Sequence, residues 1–275
     1  NLLCSFITSS IFIQAANACT RAVYLGSNDH IITARTMDWK SDVGTNLWVM
    51  PSGISRDSNA GPKSLKWKSK YGSVIATGYD ASTTDGVNEA GLVANVLWLV
   101  ESQYPDTQKS NKSQLSISAW AQYVLDNYAT VAEAVTALEK EPFTLITDYV
   151  PGEKILTTLH LSLSDKNGDS AIIEYINGKQ VIHHDKKYQV MTNSPIFDQQ
   201  LALNSYWQQI GGTVMLPGTN RAADRFARAS FYINAIPKND NAKEAIASVF
   251  SVIRNASVPF GLNTEEEPNI SSTRW

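Results

Sequence analysis

The chain has 275 residues, of which 43% are hydrophobic and 18% are charged, and its formal net charge is −3. A chain of this length and composition buries a substantial core, which excludes a disordered protein. Because there is no basic excess to bind phosphates, nucleic acid is not an expected partner. Two cysteines and four histidines without the spacing of a zinc motif predict no metal centre.

Residues 1–18 contain no charged side chain, and an apolar run from Leu2 to Ile13 leads to small residues at Ala16 and Ala18. This pattern is typical of a secretory signal peptide, clipped at its start, with an A-x-A cleavage site. The apolar run is too short to span a bilayer. We therefore expect a periplasmic or secreted protein without stable membrane insertion after the leader is removed. The alternative is a buried N-terminal strand or helix.

Cleavage after Ala18 would make Cys19 the first residue, with a thiol and a free α-amine on one carbon. An α-amine titrates near about pH 8, so at neutral pH it can accept the proton of its own thiol. Cys19 is therefore the candidate nucleophile. The alternative is a lipoprotein in which Cys19 is acylated and acts only as an anchor. Ala16 stands where a lipobox usually has Leu, which favours the nucleophile.

The segment after Cys19 predicts a hairpin, because β-branched and aromatic residues flank a turn centred near Asn28. In that register Arg21 lies opposite Arg35, and Arg35 and Asp38 approach Cys19 on the neighbouring strand. A guanidinium and a carboxylate at these positions could bracket a terminal amine. The alternative for the two residues is an ordinary cross-strand ion pair.

The rest of the chain predicts one layered α+β domain over residues 19–275, because strands occur in runs and helices in runs. Asp85-Gly86 has the composition of a hairpin turn, and residues 57–70 and 100–113 are predicted loops that shape a binding site. Residues 269–275 read as the start of a strand, so we expect further C-terminal strands. The predicted strands are 47–50, 73–77, 92–98, 158–164, 171–176 and 188–191. The predicted helices are 116–127, 130–139, 221–236 and 242–253.

Five sequence motifs occur in a characteristic order: ANACTR, ITARTMDW, DGVNEAGL, MTNSPIFDQQ and LPGTNRAADRFARASF. Together they resemble the choloylglycine hydrolases, a family of N-terminal nucleophile hydrolases that contains penicillin V acylases and conjugated bile salt hydrolases. The secretory leader resembles the Gram-negative branch of this family. The resemblance implies a four-layer αββα sandwich of two antiparallel sheets flanked by helices. It also implies a homotetramer and a reaction that needs no metal or organic cofactor.

The resemblance implies catalytic roles for three residues near the predicted N-terminus. Cys19 matches the nucleophile, and Arg35 and Asp38 have the family's spacing from it. Asp38 would hold the terminal amine. Arg35 would lower the pKa of the thiol by favouring the thiolate.

Two residues far along the chain complete the implied catalytic set. Asn193 matches the asparagine that donates to the developing oxyanion, and Arg225 matches an arginine that orients the nucleophile; Arg228 is the alternative to Arg225. Without the resemblance, Asn193 could be a turn residue and the arginines could lie on a solvated helix face.

Trp98 stands where bile salt hydrolases have Asn and many penicillin V acylases have Tyr as the second oxyanion partner. A tryptophan there resembles the Gram-negative branch, and its indole donates a single hydrogen bond while occupying more space. Tyr24, Trp39, Trp98 and Tyr104 are candidates for an apolar acyl pocket. The alternative for the two tryptophans is packing in the core.

These residues predict a linear amide hydrolase whose partner is a small-molecule acyl amide, with a thioester on Cys19 that water resolves. Among the substrates that the resemblance implies, penicillin V or an N-acyl homoserine lactone is favoured, and a conjugated bile salt is the alternative. A hypothesis of another class is a secreted or lipid-anchored binding protein with the same fold and no catalysis.

Overall fold

We describe residues 19–27, 29–264 and 270–275 in a computed structural model of the protein. The predicted leader and the hairpin centre at Asn28 lie outside these residues. The strands are β1 Thr20–Leu25, β2 Ile31–Thr36, β3 Asp38–Trp39, β4 Leu47–Met50, β5 Ser55–Asp57, β6 Lys66–Lys68, β7 Ser73–Gly78, β8 Ser82–Asn88, β9 Val93–Trp98, β10 Gln114–Ser116, β11 Thr144–Ile146, β12 Leu159–Ser164, β13 Ser170–Ile176, β14 Lys179–His184, β15 Val190–Met191 and β16 Ser272–Thr273. The helices are α1 Trp120–Asn127, α2 Val131–Leu138, α3 Phe197–Ile210, α4 Ala222–Ala235 and α5 Ala242–Ala256.

Two antiparallel sheets form the centre of the fold. The larger has seven strands in the order β14-β13-β12-β9-β8-β7-β4, and the smaller has three in the order β15-β1-β2. Helices α1 and α2 pack on the larger sheet, whereas α4 and α5 pack on the smaller one and α3 packs on α4. This arrangement confirms the α+β class and the four layers that the resemblance implied. No helix in the described ranges is long and apolar enough to cross a membrane.

The two sheets are joined by a buried arginine. Arg21 on β1 donates from Nη2 to Leu163 O at 2.9 Å and to Ser170 Oγ at 3.0 Å, and from Nη1 to Tyr188 O at 3.0 Å. Burial lowers the pKa of Arg21 to about 9, so the side chain is still charged at neutral pH. These hydrogen bonds fix β1, and with it Cys19 at its start, against β12 and β13 of the larger sheet.

Most of the predicted elements are confirmed. Arg21 lies opposite Arg35 in the first hairpin, and the predicted helices match α1, α2, α4 and α5 within a few residues. Helix α3 was not predicted, because polar residues occupy its buried positions and apolar residues its exposed ones. Gln200 and Asn204 are buried, while Leu203 and Tyr206 are exposed. Strand β14 was also missed, although it pairs with β13 along its whole length.

The prediction of a turn at Asp85-Gly86 is wrong, because both residues lie inside β8. The chain turns at residues 89–91 instead. A Cβ on Gly86 would lie 2.7 Å from Leu125 Cδ1 on α1 and 2.8 Å from Ile75 Cγ2 on β7. The glycine therefore allows α1 to approach the sheet closely, which is a packing role and not a turn.

Gly86→Ala is expected to lower the free energy of unfolding by about 1–3 kcal/mol, because the added methyl overpacks the contact between β8 and α1. Urea unfolding followed by circular dichroism measures the change. Gly218→Ala is the control, since a Cβ there meets no atom within 4 Å. We expect that variant to stay within about 0.5 kcal/mol of the parent. Equal stability of the two variants would contradict the packing role of Gly86.

Candidate active site

Cys19 opens on a cavity of about 280 Å³ between the larger sheet and the segment 148–151. The thiol is at its inner end, where Cys19 is only 4% exposed. Apolar side chains form most of the wall, among them Trp39, Trp98, Ile117, Val150 and Leu159. A mainly apolar cavity with a few polar groups at one end suits an acyl group whose amide lies at the thiol.

The thiol lies against the main chain of Asp38. Asp38 N donates to Cys19 Sγ at 3.5 Å, and Sγ lies 3.6 Å from Asp38 O. Burial raises the pKa of the Cys19 thiol, the charge of Arg35 opposes that change, and the charge of Asp38 adds to it. Arg35 thus acts in the predicted direction, but burial outweighs it. The thiol is held protonated and needs a base to become a nucleophile.

The main-chain nitrogen of Cys19 is held by Asn193. Cys19 N donates to Asn193 Oδ1 at 2.6 Å, and Arg225 Nη2 donates to the same oxygen at 2.9 Å. Asn193 Nδ2 donates to Trp98 O at 2.8 Å. The two donors on one side and the carbonyl on the other define the orientation of the amide. Asn193 therefore accepts toward Cys19 and donates toward the end of β9.

Arg225 joins Cys19 to Asn193 from helix α4. It is fully buried, and Nη1 lies 2.6 Å from both Cys19 O and Thr20 Oγ1. Burial lowers its pKa to about 10, so it is charged at neutral pH. Arg228 instead donates to Pro217 O at 2.7 Å. The structure thus brings Arg225 to Cys19. The alternative, that Arg225 lies on a solvated helix face, is wrong.

Asp38 places a buried carboxyl beside the thiol. Its Oδ2 accepts from Thr36 Oγ1 at 3.0 Å, and its Oδ1 has no hydrogen-bond partner in the described part of the chain. Burial raises the pKa of Asp38 to about 6, against the charges of Arg225 and Arg35 and the hydroxyl groups of Thr273 and Thr36. The unpartnered oxygen is available to a cation at this position.

Arg35 pairs with a residue that the sequence reading assigned to a turn. Arg35 Nη1 lies 3.0 Å from Asp85 Oδ2, and Asn95 Nδ2 donates to Asp85 Oδ1 at 2.8 Å. Arg35 also donates to Val96 O at 3.1 Å. Arg35 therefore forms its ion pair with Asp85 and not with Asp38. Asp85 anchors Arg35 on the cavity wall. This role was not predicted, because Asp85-Gly86 was assigned to a turn and not to the inside of a strand.

Two further polar residues that the sequence analysis did not predict lie at the start of α3, which is close to Asn193 in the chain. Glu174 on β13 accepts from Phe197 N, the first residue of α3, at 3.1 Å, and lies 3.2 Å from His160 Nδ1. Burial would raise the pKa of Glu174, but hydrogen bonds from the neighbouring histidines lower it to about 2. Gln200 Nε2 donates to Asn193 O at 3.2 Å. A carboxylate in an otherwise apolar strand was the available signal, since such a group needs partners.

Tyr24 and Tyr104 do not line the cavity, in contrast to Trp39 and Trp98. Tyr24 OH donates to Pro237 O at 2.8 Å, and Tyr104 OH donates to Leu159 O at 3.0 Å. The loops 57–70 and 100–113 contribute no lining residue either, whereas residues 148–151 do. Of the four aromatic candidates, the two tryptophans are therefore the ones that line the cavity.

We searched the described side chains for a cluster that could bind a metal ion. Within residues 19–27, 29–264 and 270–275, no group of three or more His, Cys, Asp or Glu could hold a metal ion.

Comparison with known protein families gives a match over the whole described chain. The model of linear amide C–N hydrolases of the choloylglycine hydrolase family matches residues 19–275. The chain belongs to this family. As a choloylglycine hydrolase, it is an enzyme that cleaves C–N bonds of linear amides.

Relatives of this choloylglycine hydrolase include enzymes named for two kinds of substrate. The penicillin V acylase of Pectobacterium atrosepticum is 61% identical, over 98% of this chain and 77% of its own length. The bile salt hydrolase/transferase of Clostridium perfringens is 28% identical, over 88% of this chain and 79% of its own length. The solved structure of penicillin V acylase from Agrobacterium tumefaciens superposes with a TM-score of 0.86 at 70% identity, covering 94% of this chain and 78% of that one.

Proposed function

We propose that this hydrolase removes an aryl or long-chain acyl group from the amide nitrogen of penicillin V or an N-acyl homoserine lactone, with Cys19 as an N-terminal nucleophile. The observation that carries the proposal is the contact of Cys19 N with Asn193 Oδ1 at 2.6 Å, at the end of an apolar cavity. It places the α-nitrogen, the thiol and a charge-stabilised amide side chain in one site.

Exposure of the Cys19 amine requires removal of residues 1–18. The match to the family starts at residue 19, which supports cleavage after Ala18 and, with the leader pattern, a periplasmic or secreted location. Intact mass and N-terminal sequencing of the protein from a periplasmic fraction test this maturation. A lipid on Cys19 would contradict it, because a modified thiol cannot attack.

The proton balance follows from the burial of the thiol. The Cys19 α-amine takes the thiol proton, directly or through a water, while Sγ bonds to the amide carbonyl carbon. The tetrahedral intermediate collapses as the C–N bond breaks, and the ammonium returns the proton to the leaving amine. Water then hydrolyses the thioester and regenerates the thiol. Asp38 Oδ1, which is buried and has no partner among the described residues, would hold the ammonium between these steps.

Asn193 would stabilise the oxyanion of that intermediate. Its Nδ2 carries two hydrogens, and one is donated to Trp98 O at 2.8 Å. The other is available to the oxygen that becomes negative when Sγ attacks. One well-placed donor of this kind contributes about 3–4 kcal/mol to the stability of a transition state.

The cavity favours a flat or linear acyl group over a steroid. The rings of Trp39 and Trp98 have centroids 5.1 Å apart and an interplanar angle of 47°. They give an aryl ring two faces to pack on within about 280 Å³. The higher identity to penicillin V acylases, 61% and 70% against 28% for the bile salt enzyme, supports the same preference.

Amine release by protein that begins at Cys19 tests the proposal, with penicillin V, glycocholate and a long-chain N-acyl homoserine lactone presented side by side. We expect release from penicillin V, the lactone or both, with glycocholate slower. Preference for glycocholate would overturn the substrate assignment. Release from none of the three, by protein with a free Cys19 amine and thiol, would show that the amide substrate lies outside this panel.

The acid limb of the activity should have two steps, because the α-amine takes up a proton near about pH 8 and Asp38, whose pKa burial raises to about 6, takes one up below it. As pH falls through that value the carboxylate takes up a proton and can no longer hold the ammonium, so kcat/KM is expected to fall. Stability changes in the other direction. Because the folded pKa exceeds the unfolded value of 3.8, the Asp38 contribution to stability decreases as pH rises from about 4 to 6.

Rate profiles and urea unfolding between pH 4 and 8 measure both trends. Asp38→Asn cannot titrate, so it should be slow throughout and lack both the limb near pH 6 and the stability slope from Asp38. A limb that persists unchanged in this variant would assign it to another group.

A further inference from the structure

The turn that joins β7 to β8 has an unusual composition for its backbone shape. Ala81 N donates to Gly78 O at 3.1 Å, which closes the turn around Tyr79 and Asp80. Their φ angles are 54° and 53°, so both lie in the left-handed region. Asn-Gly and Asp-Gly pairs usually fill two such positions. A tyrosine there is uncommon, and left-handed residues of this kind concentrate at functional sites.

Contacts around the turn hold this conformation. Asp80 Oδ1 accepts from Trp48 Nε1 at 3.0 Å, and from Asn46 Nδ2 and Thr77 Oγ1 at 3.3 Å each. Tyr79 N donates to Val43 O, and Val43 lines the same cavity. The surrounding structure thus fixes the direction in which the Tyr79 side chain leaves the backbone.

The Tyr79 side chain meets the aromatic pair of the cavity. Trp39 Nε1 donates to Tyr79 OH at 2.9 Å, and both residues line the cavity with Trp98. Tyr79 OH is the acceptor of this bond. Trp39 directly follows Asp38, whose main chain contacts the thiol. The angle of the Trp39 ring, and so the width of the space beside Trp98, depends on where Tyr79 places its hydroxyl.

We propose that Tyr79 is a positioning residue that determines acyl specificity by holding the Trp39 indole against Trp98. It acts through Trp39 and not on the reacting atoms. This inference rests on the proposed function, since it assumes that the acyl group of the substrate enters the cavity. An aryl acyl group, which needs the two indole faces at a fixed angle, should depend on Tyr79. A short linear acyl group, which can fill the same space in several conformations, should not.

The test compares penicillin V with an amide of a short linear acyl group, in the parent, Tyr79→Phe, Trp39→Phe and the double variant. Tyr79→Phe removes one hydrogen bond, so we expect kcat/KM for penicillin V to fall about 5-fold, mainly through KM. The value for the linear amide should change less than about 2-fold. In the Trp39→Phe background, Tyr79→Phe should have no further effect, because the indole N–H it acts through is gone.

Equal losses on both substrates, or additive losses in the double variant, would overturn the proposal. Tyr206→Phe is the control, because Tyr206 is exposed on α3 and outside the cavity. Binding of phenoxyacetate to Cys19→Ser forms of the same variants, measured by calorimetry, separates the inference from the proposed function. If the parent cleaves neither penicillin V nor the N-acyl homoserine lactone, the proposed function is wrong, and the phenoxyacetate Kd still reports on Tyr79. A Kd for phenoxyacetate that Tyr79→Phe leaves unchanged would overturn the role of Tyr79.

Discussion

Cys19→Ser is expected to lower amide hydrolysis by at least about 10³-fold while leaving the fold intact. The hydroxyl oxygen can still accept from Asp38 N, which lies 3.5 Å from the thiol sulfur, so the site should keep its packing. A serine hydroxyl, however, has a far higher pKa than a thiol, and the α-amine cannot deprotonate it effectively. Amine release and urea unfolding measure the two effects, and we expect the free energy of unfolding to change by less than about 1 kcal/mol.

Two controls make the result specific to the thiol. Intact mass must show that the variant begins at residue 19, because a retained leader would also abolish activity. Ser205→Ala, at an exposed position on α3, controls for losses of activity during expression and purification. It should retain the parental rate. Cys19→Ala should be as inactive as the serine variant. Parental activity in the alanine variant would exclude Cys19 as the nucleophile.

Local patterns were sufficient to predict the part of the site near Cys19. A short hairpin fixes its own register, so Arg35 could be placed opposite Arg21 and near Cys19 from the turn alone. The alternation of side chains along a strand could also have excluded Tyr24 from the predicted acyl pocket. Tyr24 is an odd number of positions from Cys19 along one extended segment, which predicts opposite faces of the sheet. Its hydroxyl indeed bonds to Pro237 O, away from the cavity.

Contacts between distant segments could not be predicted from local patterns. Arg225 lies 206 positions after Cys19, and its hydrogen bond to Cys19 O depends on how α4 packs on β1. The family resemblance selected Arg225 over Arg228, and the packing explains the choice. Asp85 and Tyr79 were missed for a different reason. Their roles come from the strand and turn of one hairpin, and the composition of Asp85-Gly86 indicated a turn where α1 needed a glycine for close packing.

Asn193→Asp separates the two functions that its amide can serve at Cys19. The aspartate keeps an oxygen for Cys19 N and Arg225 Nη2, now with a full charge beside a cation. It loses the Nδ2 donor, and a carboxylate oxygen then faces Trp98 O. If the donor stabilises the oxyanion, kcat and kcat/KM should fall together by about 10²–10³-fold. Kinetics with the best substrate of the panel measure this, and the folded fraction is checked by unfolding.

Asn234→Asp is the matched control, because Asn234 Nδ2 also donates to a main-chain carbonyl, Ser230 O at 2.9 Å, but at an exposed position on α4. It should keep the parental kcat. Asn193→Ala, which removes both the acceptor and the donor, should lose at least as much activity as Asn193→Asp. If Asn193→Asp is fully active while Asn193→Ala is not, Asn193 serves the reaction only by accepting from the α-nitrogen. The oxyanion must then be bound by another donor, and the Trp98 indole in the cavity wall is the candidate on β9.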